Sequence, residues 1–276
     1  MSRIDEALQK AMQMRKGEGA AGVAEPFAAR LPEYDASGAQ AVEITSPYII
    51  TSDSDRNIFA EEYRKLKTMI IRELSLHDNG NTVMVTSAGG GEGKSVTAIN
   101  LAIALAQEFD NTVLFVDADL RRPSLQQYLH IGERPGLTDC LADGLDMGKV
   151  LIKTTIGKLT LLPSGRAVPN PTELLASQKM KVLFNEIKNR YSDRYVIIDA
   201  PPVLPVAETR NLASLVDGIV FVVAEGAVPE RSVRDSLELL HDRRILGFVF
   251  SNVSPENLGP QHGYYYYTQG DAAREA

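Results

Sequence analysis

The sequence predicts an α/β fold with a mostly parallel central sheet covered by helices on both faces. Three observations carry this. From about residue 54 onward, short apolar runs alternate with segments of helical period. Several runs, such as 218–224 (GIVFVVA), are continuously apolar rather than alternating, the mark of strands buried on both sides. One run, 82–86 (TVMVT), leads through a glycine-rich turn into a helix pattern, a strand–turn–helix unit of open α/β sheets.

The 276 residues suit one large domain with tails. With 44% hydrophobic and 24% charged residues, the chain is neither wholly disordered nor fibrous. The lone cysteine, Cys140, excludes an intrachain disulfide and a four-cysteine zinc or iron–sulfur site, and fits a reducing cytoplasm. A net charge of −7 argues against a broad nucleic-acid footprint, so no nucleic-acid partner is expected. The opening MSRIDEAL carries charges where a signal core would be apolar. No apolar run approaches the roughly 18 residues a spanning helix needs. A cytoplasmic chain, at most peripheral to a membrane, is the expectation.

In chain order, residues 1–16 form a candidate amphipathic docking helix: Ile4, Leu8 and Met12 recur every fourth residue behind a capping Ser2. A frayed terminus accounts for the same segment equally well. Residues 17–53, rich in Ala, Gly, Pro and Glu, are expected to be a flexible linker. The folded domain is expected over 54–253. Phe59, Tyr63, Leu66 and Ile70 are spaced for one face of a helix. Strands follow at 82–86, 112–116, 158–162, 195–198, 218–224 and 245–251, with helices over about 94–108, 171–191 and 230–243. After Asn252 the periodicity stops, and 254–276 is expected to be a mobile tyrosine-rich tail.

The strongest chemical signal is Ser87-Ala-Gly-Gly-Gly-Glu-Gly-Lys94-Ser95 between a strand and a helix, the context of a phosphate-binding P-loop. It implies a P-loop NTPase fold. Gly89, Gly90, Gly91, Glu92, Gly93, Lys94, Ser95 and Val96 would line the nucleotide: glycines let backbone N–H groups curl around an anion, and the helix N-terminus adds partial positive charge. Lys94 would reach the outer phosphates of ATP and Ser95 would offer its hydroxyl to Mg2+. The first motif position holds Ala88 instead of glycine, a small residue the loop should tolerate. Asp117 and Asp119 end one predicted strand and Asp199 ends another, at the sheet edge where ligands bind. Three carboxylates near a P-loop would hold Mg2+ and leave one over to accept a proton. Asn252, ending the last strand, would bond the adenine edge or serve as a turn residue.

Together the P-loop, VLFVDADLRRP and YVIIDAPP resemble the nucleotide motifs of the bacterial tyrosine kinases (BY-kinases) of exopolysaccharide synthesis. The resemblance covers about residues 54–276, and the DxDxR element at Asp117, Asp119 and Arg121 is more specific than the P-loop alone. It implies an ATP-dependent protein-tyrosine autokinase regulating exopolysaccharide polymerisation or export, with ATP and Mg2+: Lys94, Asp117 and Asp119 would be catalytic, Asp117 as the base for the tyrosine proton, and Ser95, Asp119 and Asp199 would hold the metal. Glu61, Arg64 and Lys67 match the spacing of the family's ExxRxxR self-association element, with lysine in place of the last arginine, which lacks its planar fork. Tyr264, Tyr265, Tyr266 and Tyr267 resemble the family's autophosphorylation cluster, used in trans within a homo-oligomer. The resemblance further implies a separate membrane chain-length-determinant (co-polymerase) protein as activator, a protein-tyrosine phosphatase, and a place at the inner face of the membrane through that partner. The N-terminal opening resembles kinases of exosortase-linked loci. The rival expectation is a switch ATPase of the cell-division or plasmid-partition type. Those relatives usually carry a lysine early in the P-loop, where this chain has Gly89.

Overall fold

The structure, a computed structural model, describes residues 41–51, 58–77, 80–190 and 193–257. The expected docking helix over 1–16, most of the linker, and the tyrosine cluster lie outside the described residues.

Among the described residues, seven strands form one sheet in the order β3-β4-β2-β5-β1-β6-β7. They are β1 (Thr82–Ser87), β2 (Thr112–Asp117), β3 (Ile152–Lys153), β4 (Leu159–Leu162), β5 (Arg194–Asp199), β6 (Gly218–Ala224) and β7 (Ile245–Ser251). Every pairing is parallel except that of β3 with β4. The fold is thus the α/β sheet the sequence predicts. The continuous apolar runs feed two cores because successive side chains point to opposite faces. Val83 and Val85 of β1 pack into one core, with helices α1 (Ile58–Ser75) and α2 (Lys94–Ala106). Met84, between them, packs into the other.

That second core takes its cover from helices after the site motifs. After α3 (Leu125–Leu129) come α4 (Leu137–Asp143), α5 (Met147–Val150), α6 (Pro171–Ala176), α7 (Gln178–Asn189), α8 (Glu208–Ala213) and α9 (Glu230–Leu239). The single helix expected over 171–191 is two, α6 and α7. Ser177 breaks it: extended, at ψ 157°, it accepts the Met180 N–H and caps α7. The short helices α3, α4, α5 and α8 escape the sequence because each is too brief to show a period.

Residues 41–51 correct the linker expectation at its end. Ile44 and Ile49 are buried, and Val42 bridges Thr154 beside β3. The Asn100 side chain on α2 accepts from the Ile50 and Thr51 N–H groups and donates to the Tyr48 carbonyl. The apolar residues at this end were diluted in a composition averaged over a polar stretch. The apolar face of α1 also differs from expectation. Ile70 is fully buried, but Phe59, in the first turn, is 48% exposed.

Candidate active site

All three predicted strand-end carboxylates sit at one edge of the sheet, because β1, β5 and β2 are parallel neighbours. Asp117 lies directly opposite Asp199 in the β2–β5 register, and Asp199 opposite Val85 of β1. The P-loop leaves β1 at that same edge. Gly91 and Gly93 hold φ of +82° and +83°, a left-handed region that residues with a Cβ rarely adopt. Gly93 caps α2 with no side-chain hydrogen bond, leaving the helix N-terminus to an anion. Gly90 and Gly91 form the exposed apex.

Lys94 is 8% exposed. Its Nζ lies 2.8 Å from Asp119 Oδ2 and 3.3 Å from Asp199 Oδ1, and it also donates to Ser95 Oγ at 3.2 Å. Burial pushes this ammonium down, but the two carboxylates outweigh it and hold it above its usual range. Ser95 hydrogen-bonds Asp199, whose carboxyl burial raises despite its cationic neighbour. Asp117 lies deepest. Burial, reinforced by the Asp199 charge, raises its carboxyl from 3.8 to about 8, against the pull of the Leu125 N–H. Its Oδ2 accepts that N–H at 3.2 Å, and its Oδ1 accepts the Asp119 N–H at 3.3 Å. The motif therefore folds back over its own first aspartate.

Three predicted nucleotide-site residues need separate comment. Glu92 turns its carboxylate inward, 1% exposed, to accept the Gly89 N–H at 2.6 Å and the Ala224 N–H at 3.3 Å. It braces the loop against β6. Val96 is half-buried in the first turn of α2, and its carbonyl accepts from Asn100. Asn252 is exposed just past β7 in the left-handed region, at φ 52°.

The expected self-association residues lie on α1. Arg64 pairs with Glu61 at 2.8 Å on the surface. Lys67 is mostly buried and pairs with Glu108 beyond the end of α2.

Two features escaped the sequence. Ser251, the last residue of β7, donates to the Glu92 carbonyl at 2.6 Å and ties the outer strand to the P-loop. Glu208, fully buried on α8, accepts from Arg121 Nε at 2.6 Å and from Thr172 Oγ1 at 2.8 Å. These bonds lower its carboxyl although burial alone would raise it. Nothing in a lone glutamate on a short helix signals such a role.

Could this pocket hold Mg2+? Among the described residues, no three of His, Cys, Asp or Glu form a metal-binding group. The arrangement still fits, because Mg2+ usually takes one or two carboxylates plus phosphate oxygens and water. Asp119, Asp199 and the Ser95 hydroxyl supply that partial set around Lys94.

A glycine loop curled at a helix N-terminus, with a buried lysine and strand-end aspartates, defines a P-loop nucleotide-binding domain. Residues 80–228 accordingly match the family model described as an AAA domain. The chain is 34% identical to the tyrosine-protein kinase YwqD of Bacillus subtilis, over 79% of this chain and 90% of that one. It is 33% identical to the succinoglycan biosynthesis transport protein ExoP of Rhizobium meliloti, matching 80% of this chain but only 29% of ExoP. The kinase domain of the Escherichia coli tyrosine kinase ETK superposes with a TM-score of 0.67 at 26% identity, covering 79% of this chain and 93% of that one. The chain belongs to the bacterial tyrosine kinases: it is an ATP-binding protein-tyrosine kinase, not a switch ATPase. Among the described residues, no helix is long and apolar enough to cross a membrane.

Proposed function

We propose that this kinase phosphorylates tyrosines of its own kind, Tyr264, Tyr265, Tyr266 and Tyr267, in trans within a homo-oligomer, and so regulates exopolysaccharide polymerisation or export. The observation that carries the reading is the convergence of Lys94, Asp119 and Asp199 within hydrogen-bond reach, with Asp117 beside them. Bound Mg2+ would neutralise phosphate charge and orient the transferring group. Asp119, Asp199 and Ser95 would hold that ion. Lys94 would exchange its carboxylate contacts for the outer phosphates as ATP arrives. Asp117, kept neutral in the nucleotide-free protein, would lose its proton as cationic charge gathers and then accept the tyrosine proton.

The printed names of relatives support the setting. ExoP is a succinoglycan biosynthesis transport protein. In that setting the activating partner would be a membrane co-polymerase, which would hold the kinase at the inner face of the membrane. A phosphatase would reset the tail. Glu61 is exposed and Arg64 partly exposed on α1, and the two suit a contact between copies; Lys67, already paired with Glu108, would brace the helix.

Peptide mapping after incubation with ATP and Mg2+ tests the acceptor. Phosphate should be found on Tyr264, Tyr265, Tyr266 or Tyr267. A variant with all four changed to Phe should accept none while still phosphorylating added wild-type tail peptide. Phosphate found only on other tyrosines would refute the assignment of the tail.

A further inference from the structure

We infer that Arg122 is a second cationic catalytic residue of this site, supplying positive charge in cis to the γ-phosphoryl group as it transfers. The inference rests on the kinase reading above and deepens it.

Consider the two adjacent arginines of the second motif. Arg121 is committed: its Nε pairs with Glu208 at 2.6 Å and its Nη2 donates to Thr172 at 2.9 Å. Arg122 takes the other direction. A Cβ built on Gly90, at the apex of the P-loop, would meet Arg122 Nη1 at 3.7 Å and nothing else within 4 Å. Among the described residues, the Arg122 guanidinium has no hydrogen-bond or ion-pair partner, and the residue is exposed. Its backbone is nevertheless fixed. The Arg122 N–H donates to the Asp119 carbonyl at 3.2 Å and to Asp119 Oδ1 at 3.1 Å, and Pro123 restricts the chain after it. Asp119 is itself the partner of Lys94. An unpaired guanidinium is thus held over the open side of the anion loop by the same aspartate that positions the P-loop lysine.

Charge gives this arrangement a purpose. The pocket holds Asp117, Asp119 and Asp199 against one lysine. Phosphoryl transfer spreads negative charge over the equatorial oxygens of the transferring group, and a pocket this acidic would oppose it. Arginine keeps its charge at any working pH and presents a planar fork that matches phosphate oxygens. In the step, the tyrosine oxygen forms a bond to the γ-phosphorus. The bond from that phosphorus to the β–γ bridging oxygen breaks, and its electron pair leaves with ADP. The phenol proton passes to Asp117. Arg122 neither gives nor takes a proton; it stabilises charge.

The test uses the full chain with Arg122→Ala, Arg122→Lys and, as a control for the kinase reading, Lys94→Met. Phosphotyrosine formation is measured at saturating Mg·ATP, with calorimetric binding of ADP and of ADP with aluminium fluoride as the probe of the transferring geometry. Arg122→Ala should lower kcat by about 10²–10³ and abolish the extra affinity that aluminium fluoride confers, while ADP binds within about threefold of wild type. Arg122→Lys should recover part of the rate. The melting temperature of the nucleotide-free protein should not move, since an exposed side chain with no partner holds nothing together. Three results would overturn the inference: kcat within about twofold of wild type, ADP affinity falling as far as kcat/KM, or a drop in nucleotide-free melting temperature large enough to explain the lost rate. Lys94→Met that still forms phosphotyrosine would instead overturn the kinase mechanism itself.

Discussion

The two ends of the parallel sheet each hold a partly or wholly buried aspartate network, and the two are opposite in character. At the end where β1 begins, Asp217 accepts the Asn81 N–H at 2.9 Å, the Thr82 N–H at 3.0 Å and the Thr82 hydroxyl at 2.7 Å, and pairs with Lys188. Burial would raise its carboxyl, but these partners outweigh it and hold it below the usual range. At the other end, Asp117 and Asp199 face each other across neighbouring strands and both carboxyls are raised by burial. One residue type therefore does two jobs. A satisfied aspartate fastens the Asn81–Thr82 entry to β1. The pair at the opposite end is short of cationic charge, and this unmet demand is what a metal–nucleotide complex would meet.

Breaking the ligand end should have the largest effect on activity. Lys94→Met should lower phosphotyrosine formation by about 10³-fold or more, read by an anti-phosphotyrosine assay. It should also destabilise the nucleotide-free protein, because Asp119 and Asp199 lose the cation between them, by about 3–5 kcal/mol unless they take up protons. The residue therefore stabilises the empty pocket as well as the transferring phosphate.

Asp117→Asn should cost about 10²–10⁴ in rate if the carboxylate takes the tyrosine proton. Its stability effect has the opposite sign. Folded Asp117 keeps a proton that the unfolded chain releases, so its contribution falls as pH rises from 3.8 to about 8. The Asn variant should therefore melt several degrees higher than wild type near pH 8, by roughly 2–4 °C per kcal/mol recovered. The gain should shrink toward pH 4.

Asp217→Ala acts at the satisfied end. It strips the Asn81 and Thr82 N–H groups of their acceptor and should cost about 2–3 kcal/mol in denaturant unfolding, with kcat per folded molecule unchanged. Its pH signature mirrors that of Asp117. A carboxyl lowered by folding stabilises above its unfolded pKa and loses that contribution as pH falls, so the variant should lack part of the acid limb of the stability curve. The smallest effect belongs to Arg64→Ala. The Glu61 pair it breaks is exposed, 40% and 53% by side chain, and should be worth less than about 0.5 kcal/mol. Any larger change, seen by sedimentation, would arise from contacts between copies.

The ligand end was far more legible in the sequence than the fastened end. Gly89 to Ser95 after an apolar run, and aspartates closing two other runs, are local patterns that survive without any knowledge of packing. The Asp217 network joins residues 135 positions apart, and a lone aspartate before a strand has no local pattern to betray it. The same holds for Glu208, which meets Arg121 87 positions away. Apolar runs also concealed a difference between centre and edge. Every residue of β1 is buried, whereas β7 reads equally apolar yet leaves Phe248 and Phe250 46% and 72% exposed. Its place at the end of the strand order, with a neighbour on one side only among the described residues, is a property of topology. Glu92 shows the limit within a motif: its position in the P-loop was readable, but the inward turn of its carboxylate depends on N–H groups of Gly89 and Ala224 that only the fold brings together.

The cationic deficit at the β2–β5 end suits the site to a metal–nucleotide complex and so to phosphoryl transfer to tyrosine. Intact-mass measurement of the purified full chain after incubation with Mg·ATP addresses it directly, with Lys94→Met run in parallel. Stepwise phosphate additions are expected on the wild type, located on tyrosine, and none on the variant. Nucleotide hydrolysis without any gain in protein mass, or equal gains on both proteins, would contradict it.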